Sequence, residues 1–185
     1  IKTTIVFITM SFLWACTDSP KSTNQALSIS AKTESSQNAS FDQFKAQFLE
    51  DLWALYPGYA VYVGYYQYDH ILPIPNNERK IKEAEFSQQY LGKLNAFNPD
   101  LLSPSNAVDW QIIKNEIESG IWYRDVFKRY QWDPATYNVA GVFGAILNTD
   151  YKPLNERLRS ILSRLSNVPA YYAAAKSNIT LPTIE

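Results

Sequence analysis

Phe41, Phe44, Phe48, Leu52 and Leu55 follow one another at steps of three, four, four and three residues, the spacing that puts apolar side chains on one face of an α-helix. Ser40-Phe41-Asp42-Gln43 stands at the head of this run with capping-box spacing, so the helix is expected to begin there and to end or bend at Pro57-Gly58. The helical phase returns in a predicted helix over 77–97, with Phe86, Tyr90, Leu94 and Phe97 on one face and Glu78/Lys82 as an i,i+4 pair on another. After the Asn98-Pro99-Asp100 break, Ser103-Pro104 supplies an N-cap and a first helical residue. Ala107, Trp110, Ile113, Ile117 and Ile121 then follow at steps of three, three, four and four. Gly120 weakens that helix by about 1 kcal/mol relative to Ala and marks close packing with a neighbour. Leu154, Leu158, Ile161 and Leu165 define a helix opened by Pro153, and Asn167-Val168-Pro169 is expected to restart the chain into another through Tyr172, Ala175 and Ile179. The stretch Tyr59 to Tyr68 would also suit a strand. No segment repeats at a fixed period. The expected fold class is all-α: amphipathic helices around an aromatic-rich core, spanning 41–185, where 24 of the 27 aromatic residues lie.

The amino-terminal region reads differently. Lys2 precedes an apolar run from Ile5 to Ala15, 11 residues long, whereas a bilayer-spanning helix needs roughly 20. Residues 1–15 therefore read as a signal peptide. Leu13-Trp14-Ala15-Cys16 resembles the bacterial lipobox, which makes Cys16 the expected lipidation site. The bland alternative is a small buried Cys in a short helix. Acyl chains contribute about 0.8 kcal/mol per buried methylene, so two or three of them hold a protein to a membrane. Thr17 after Cys16 does not favour inner-membrane retention, and the expected location is the bacterial envelope, exported and anchored at the outer membrane or periplasmic side. Residues 17–40 hold ten Ser/Thr and no aromatic residue, so 16–40 reads as a lipidated Cys with a disordered tether.

Composition narrows the chemistry. With 17 Lys+Arg against 18 Asp+Glu, the chain lacks the basic surplus that nucleic acid demands, and no nucleic-acid partner is expected. One His and one Cys cannot build a His/Cys zinc site, a CxxC pair or an internal disulfide. No HExxH, GxSxG, GxGxxG or Walker-type motif occurs. His70 beside Asp69 has the form of a general base, but a surface or capping histidine is the preferred reading. Glu50/Asp51 and Glu116/Glu118 diverge in direction on a helix and read as solvated faces. Tyr56, Tyr59, Tyr62, Tyr65, Tyr66 and Tyr68 are either core packing with hydroxyls at the rim or a stacking platform for a peptide or sugar. Tyr65, Tyr66 and Asp69 are candidate substrate contacts from that stretch. Asp133, Tyr137 and Asn138 are candidates from the turn Trp132 to Asn138, which either orients a polar ligand or caps a helix.

Read in order, Leu55-Tyr56-Pro57-Gly58-Tyr59-Ala60 with Gly64 and Tyr68-Asp69, Asp109-Trp110-Gln111-Ile112-Ile113, Trp132-Asp133-Pro134 with Tyr137-Asn138, and Arg164-Leu165 with Val168-Pro169-Ala170-Tyr171-Tyr172 resemble the amino-terminal part of the bacterial domain of unknown function 885 family. The resemblance implies a long, largely helical exported lipoprotein similar to zinc metallopeptidases of the thermolysin-like superfamily. The family's metal-binding motif, a His-Glu pair followed by Pro-Gly-His, would lie beyond Glu185. No catalytic or metal residue is thus carried onto this chain, and no cofactor is expected within it, although zinc is implied for the whole protein. Such a protein would use a zinc-bound water, deprotonated by the Glu, against a peptide substrate. The chain begins at Ile1 and stops at Glu185 without a closing element, and it reads as a fragment truncated at its carboxy end. The alternative function is a non-catalytic surface lipoprotein that binds peptides or glycans.

Overall fold

The computed structural model describes residues 22–180 and 182, with side chains from Glu34 onward. Cys16 and the signal run lie outside the described residues. The chain is all helical: α1 (Ser22–Leu55), α2 (Pro57–Tyr62), α3 (Asn77–Leu94), α4 (Pro104–Trp122), α5 (Ala140–Asn148) and α6 (Leu154–Asn178), joined by short 3-10 turns and one π-turn, with no strand among the described residues.

Two apolar cores organise these helices. In the first, Phe41, Phe44, Phe48 and Leu52 of α1 meet Tyr90 and Leu94 of α3 and Ile113 and Ile117 of α4. Phe41 meets Phe97 edge to face at 5.1 Å, and Phe48 meets Tyr90 in the same way at 5.2 Å, the geometry that sets a positive ring edge against a negative ring face. Each such ring contributes about 1.5–3 kcal/mol on burial. The second core is smaller. Val61 of α2 packs with Val142 and Ile146 of α5, backed by Ile161 of α6.

Local signals place the ends of α3 and α4. Asn76 accepts a hydrogen bond from the Arg79 amide at the head of α3, and Ser103 accepts one from the Asn106 amide at the head of α4, ahead of Pro104, as capping chemistry requires. Trp110 then ties α4 to α3 by donating to the Leu94 carbonyl at 3.1 Å.

Several expectations are corrected. The Ser40 capping box does not form, because α1 starts at Ser22 and the Ser40 hydroxyl donates to the Ser36 carbonyl inside the helix. The Ser/Thr-rich stretch is helical from Ser22 on, and tertiary contacts account for its order at the junction. The Asn38 side-chain oxygen accepts from the Ser103 amide at 2.8 Å and from the Asn106 side chain at 2.9 Å, which fastens α1 to the first turn of α4. Tyr59 to Tyr68 contains no strand: α2 ends at Tyr62, and Gly64 adopts φ +87°, a conformation that side chains with a Cβ resist. Nor does Pro169 divide the last helix. α6 runs through it, held by buried Arg157, Ser160 and Arg164 on one side and Ala175 and Asn178 on the other, which offsets the lost amide hydrogen bond. A Cβ on Gly120 would meet no atom within 4 Å, so that glycine marks open space rather than close packing.

The buried face of α6 is also not the one its leucines predict. Leu154, Leu158 and Leu165 are 52%, 43% and 48% exposed, and Leu162 is exposed beside them. The inward face carries Arg157, Ser160 and Arg164.

Candidate functional site

Between the two cores lies a cleft of about 680 Å³. Tyr59 and Tyr62 of α2 form one side, Arg79, Lys80 and Glu83 of α3 with Glu116 and Gly120 of α4 another, and Tyr137, Arg164, Tyr171 and Asn178 close it. The π-turn Tyr123–Phe127 ends α4 and brings Tyr123 and Arg124 to the rim, after which Lys128 turns the chain in the left-handed region at φ 48°.

Basic groups outnumber acidic ones on the wall, with Arg79, Lys80, Arg124, Arg129 and Arg164 against Glu83 and Glu116. Most are already engaged. Arg79 pairs with Glu83 at 2.7 Å and lies over the Tyr56 ring at 5.2 Å. Arg124 grips Asp125 through two nitrogens at 2.9 and 2.8 Å and donates to the Glu83 carbonyl and the Ser87 hydroxyl. Lys80 donates to the Asn178 side chain at 2.7 Å and stands over the Tyr130 ring. Arg164 differs: it is wholly buried, its Nε donates to the Asp69 backbone carbonyl, and its Nη1 and Nη2 have no partner. Burial lowers its pKa, against the opposing pull of Asp69 and Tyr151.

Phenols supply the neutral polar groups. Burial, reinforced by the Glu83 charge, pushes Tyr56 up to about 12, and burial followed by Tyr137 does the same for Tyr171. Both hydroxyls therefore keep their protons at neutral pH. Tyr137 donates to the Tyr130 carbonyl at 2.7 Å, which fixes its ring on the wall.

Of the candidate contacts read from sequence, Tyr137 and Asn138 line the cleft. Tyr65, Tyr66, Asp69 and Asp133 do not. The tyrosine cluster divides, with Tyr56, Tyr59 and Tyr62 on the cleft and Tyr65 and Tyr68 both donating to Glu50 of α1. Tyr66 stacks on Tyr151 with ring centres 3.6 Å apart. Asp69 is buried in a knot, accepting from Tyr151 at 2.5 Å and Ser160 at 2.9 Å and pairing with Lys152 at 2.5 Å. Asp133 caps the Pro134–Tyr137 turn through the Ala135 amide and pairs with Arg129 at 2.6 Å. His70 stands on the surface, its side chain 55% exposed. Sequence reasoning missed Arg79, Arg124 and Arg164. Arg157, Ser160 and Arg164 do share a helical phase at steps of three and four, and that polar phase was the available signal.

Among the described residues no three His, Cys, Asp or Glu side chains group as metal ligands. The residues present do not fit a zinc site, and no step through a metal is derived from them. No described helix is long and apolar enough to cross a membrane.

A family model for a bacterial protein of unknown function (DUF885) matches residues 57–182, a span that holds the cleft-lining residues other than Tyr56. The chain belongs to the DUF885 family. No curated protein matches it. A solved structure from Shewanella oneidensis, described as "a putative lipoprotein of unknown function", is 43% identical with a TM-score of 0.75. The match covers 77% of this chain and 26% of that one, so this DUF885 chain spans about a quarter of its structural relative.

Proposed function

We propose that this chain is the amino-terminal, peptide-binding helical part of an exported, lipid-anchored DUF885 peptidase whose zinc site is built from residues outside it. The observation that carries the reading is the cleft, a groove walled by aromatic rings, protonated phenols and arginines, surfaces suited to peptide side chains and main-chain carbonyls. Family membership and the relative's description support the envelope setting. The outward leucines of α6 and the exposed Trp122, Tyr123 and Val126 at and after the end of α4 are the kind of apolar surface that a larger protein covers. In this reading Cys16 carries the acyl chains, and the described domain holds the peptide while the rest of the protein performs hydrolysis.

The test uses the complete DUF885 protein. Metal analysis is expected to find about one zinc per folded molecule, the stoichiometry of a single-metal hydrolytic site, with peptide hydrolysis lost on chelation and restored by zinc. Well-folded protein with no bound zinc and no hydrolysis, yet with peptide or glycan binding, would support the non-catalytic surface lipoprotein instead. For the anchor, Cys16→Ser is expected to release the protein from membranes, and unchanged retention would refute lipidation at that residue.

A further inference from the structure

We infer that Arg164 is the floor of a carboxylate-binding subsite in the cleft and sets a preference for acidic peptides. The assignment deepens the peptide-binding reading above and rests on it. Arg164 is wholly buried, its side chain forms part of the cleft wall, and only its Nε has a partner, the Asp69 backbone carbonyl. Nη1 and Nη2 have none. Such donors cost free energy when buried without acceptors, and native structures seldom leave them so without a role.

The nearest acid cannot supply the missing acceptor. Both carboxylate oxygens of Asp69 are occupied, one by Ser160 and the other by Tyr151 and Lys152. Glu83 is taken by Arg79. Arg164 thus lines the cleft with two unpartnered guanidinium nitrogens, and neither carboxylate on the cleft wall, Glu83 or Glu116, bonds them. A guanidinium with two free nitrogens matches a carboxylate through two parallel hydrogen bonds, and the ligand's charge compensates the buried cation. The surrounding wall favours the same sign, since four further basic side chains, Arg79, Lys80, Arg124 and Arg129, stand there against two acidic ones. A peptide can offer such a group as its carboxy terminus or as an Asp or Glu side chain. The subsite chemistry is common to both.

The experiment measures binding of three probes to the complete protein by titration calorimetry: acetyl-trialanine with a free carboxy terminus, its amide, and the amide of acetyl-alanyl-alanyl-glutamate. One or both carboxylate peptides are expected to bind roughly 10- to 100-fold more tightly than the neutral amide, the range of charge-assisted hydrogen bonds. Which one does so identifies the source of the carboxylate. Arg164→Gln is expected to abolish the difference between the carboxylate peptides and the neutral amide. Equal affinity for all three probes would overturn the subsite and leave the peptide-binding reading standing. If no peptide binds but glutarate raises the melting temperature of the wild type and not of Arg164→Gln, the subsite stands and the peptide reading fails. Should the variant not fold, the acid-against-amide comparison on the unsubstituted protein still decides the matter.

Discussion

Asp69 joins the loop after α2 to α6, and its replacement tests whether the smaller half of the molecule is held by a polar knot rather than by its modest apolar core. The carboxylate is 3% exposed and accepts from the Tyr151 and Ser160 hydroxyls while pairing with Lys152. In Asp69→Ala all three donors lose their acceptor. Lys152 keeps a side chain 26% exposed and can return to water, so the two hydroxyls and the collapsed contact dominate the loss. Hydrogen bonds to a charged acceptor contribute about 1.5–3 kcal/mol each, which gives a destabilisation of about 3–5 kcal/mol. Asp69→Asn keeps the shape and one acceptor and should cost about half as much. For a chain of this size each kcal/mol lowers the melting temperature by about 2–4 °C. Urea unfolding followed by circular dichroism reads both variants. The pH dependence adds a second check. Burial alone would raise the Asp69 pKa, but the hydrogen bonds from Lys152, Tyr151 and Ser160 outweigh it and hold the carboxyl below its ordinary value. The stabilisation is therefore fully present above the ordinary carboxylate range and disappears as pH falls through the lower folded value. Wild type and Asp69→Asn should converge only in acid. A variant within about 0.5 kcal/mol of wild type at neutral pH, the usual range for an inconsequential surface change, would refute the knot, as would a difference that acid leaves untouched.

Two further predictions concern backbone conformation and phenol ionisation. Gly92 lies on the exposed side of α3 with nothing within 4 Å of a would-be Cβ, so Gly92→Ala should stabilise by about 0.5–1 kcal/mol through helix propensity. Gly64→Ala meets equally open space but a φ of +87°, and should instead cost about 1 kcal/mol; thermal melts that rank the two the other way would contradict the turn described after α2. On alkaline titration followed by phenolate absorbance, Tyr56, Tyr171 and Tyr68 should ionise near 12. Their folded pKa values lie above the unfolded ones, so their contribution to stability is complete below about pH 10 and fades as pH rises through 12. Tyr68→Phe should delete one late-titrating group, and an unchanged profile would dissolve the Tyr68–Glu50 contact.

What could be read from the residues, and what could not, follows from how each element is buried. α1 from Phe41 on, the second half of α3, and α4 were legible because their aromatic and aliphatic side chains enter one shared core at helical spacing, so apolar phase and buried face coincide. Ser103-Pro104 was legible because a cap is made by a few consecutive residues. The start of α1 was not, since Asn38 acquires its partners from Ser103 and Asn106, far along the chain. The cleft was half legible: Tyr137 and Asn138 were named, but Arg79, Arg124 and Arg164 come from three separate elements and share no local motif. α5 escaped because nine residues are too few for a helical period to declare itself.

α6 is the instructive failure. Its leucine stripe predicts a buried face, yet within this chain that stripe faces out and the Arg157, Ser160 and Arg164 phase faces in. Apolar periodicity reports that a face is meant to be covered, not that the same stretch of chain covers it. Polar residues with the same periodicity carry the complementary message: burying Arg164 without a full set of acceptors is costly, so a protein that keeps it there has a use for its free donors. On the reading proposed above, the two faces of α6 answer to two different needs. The leucines hold this quarter of the protein against the remainder, and the arginine on the opposite side meets the ligand, which makes α6 the element through which a change in the covering partner would reach the cleft.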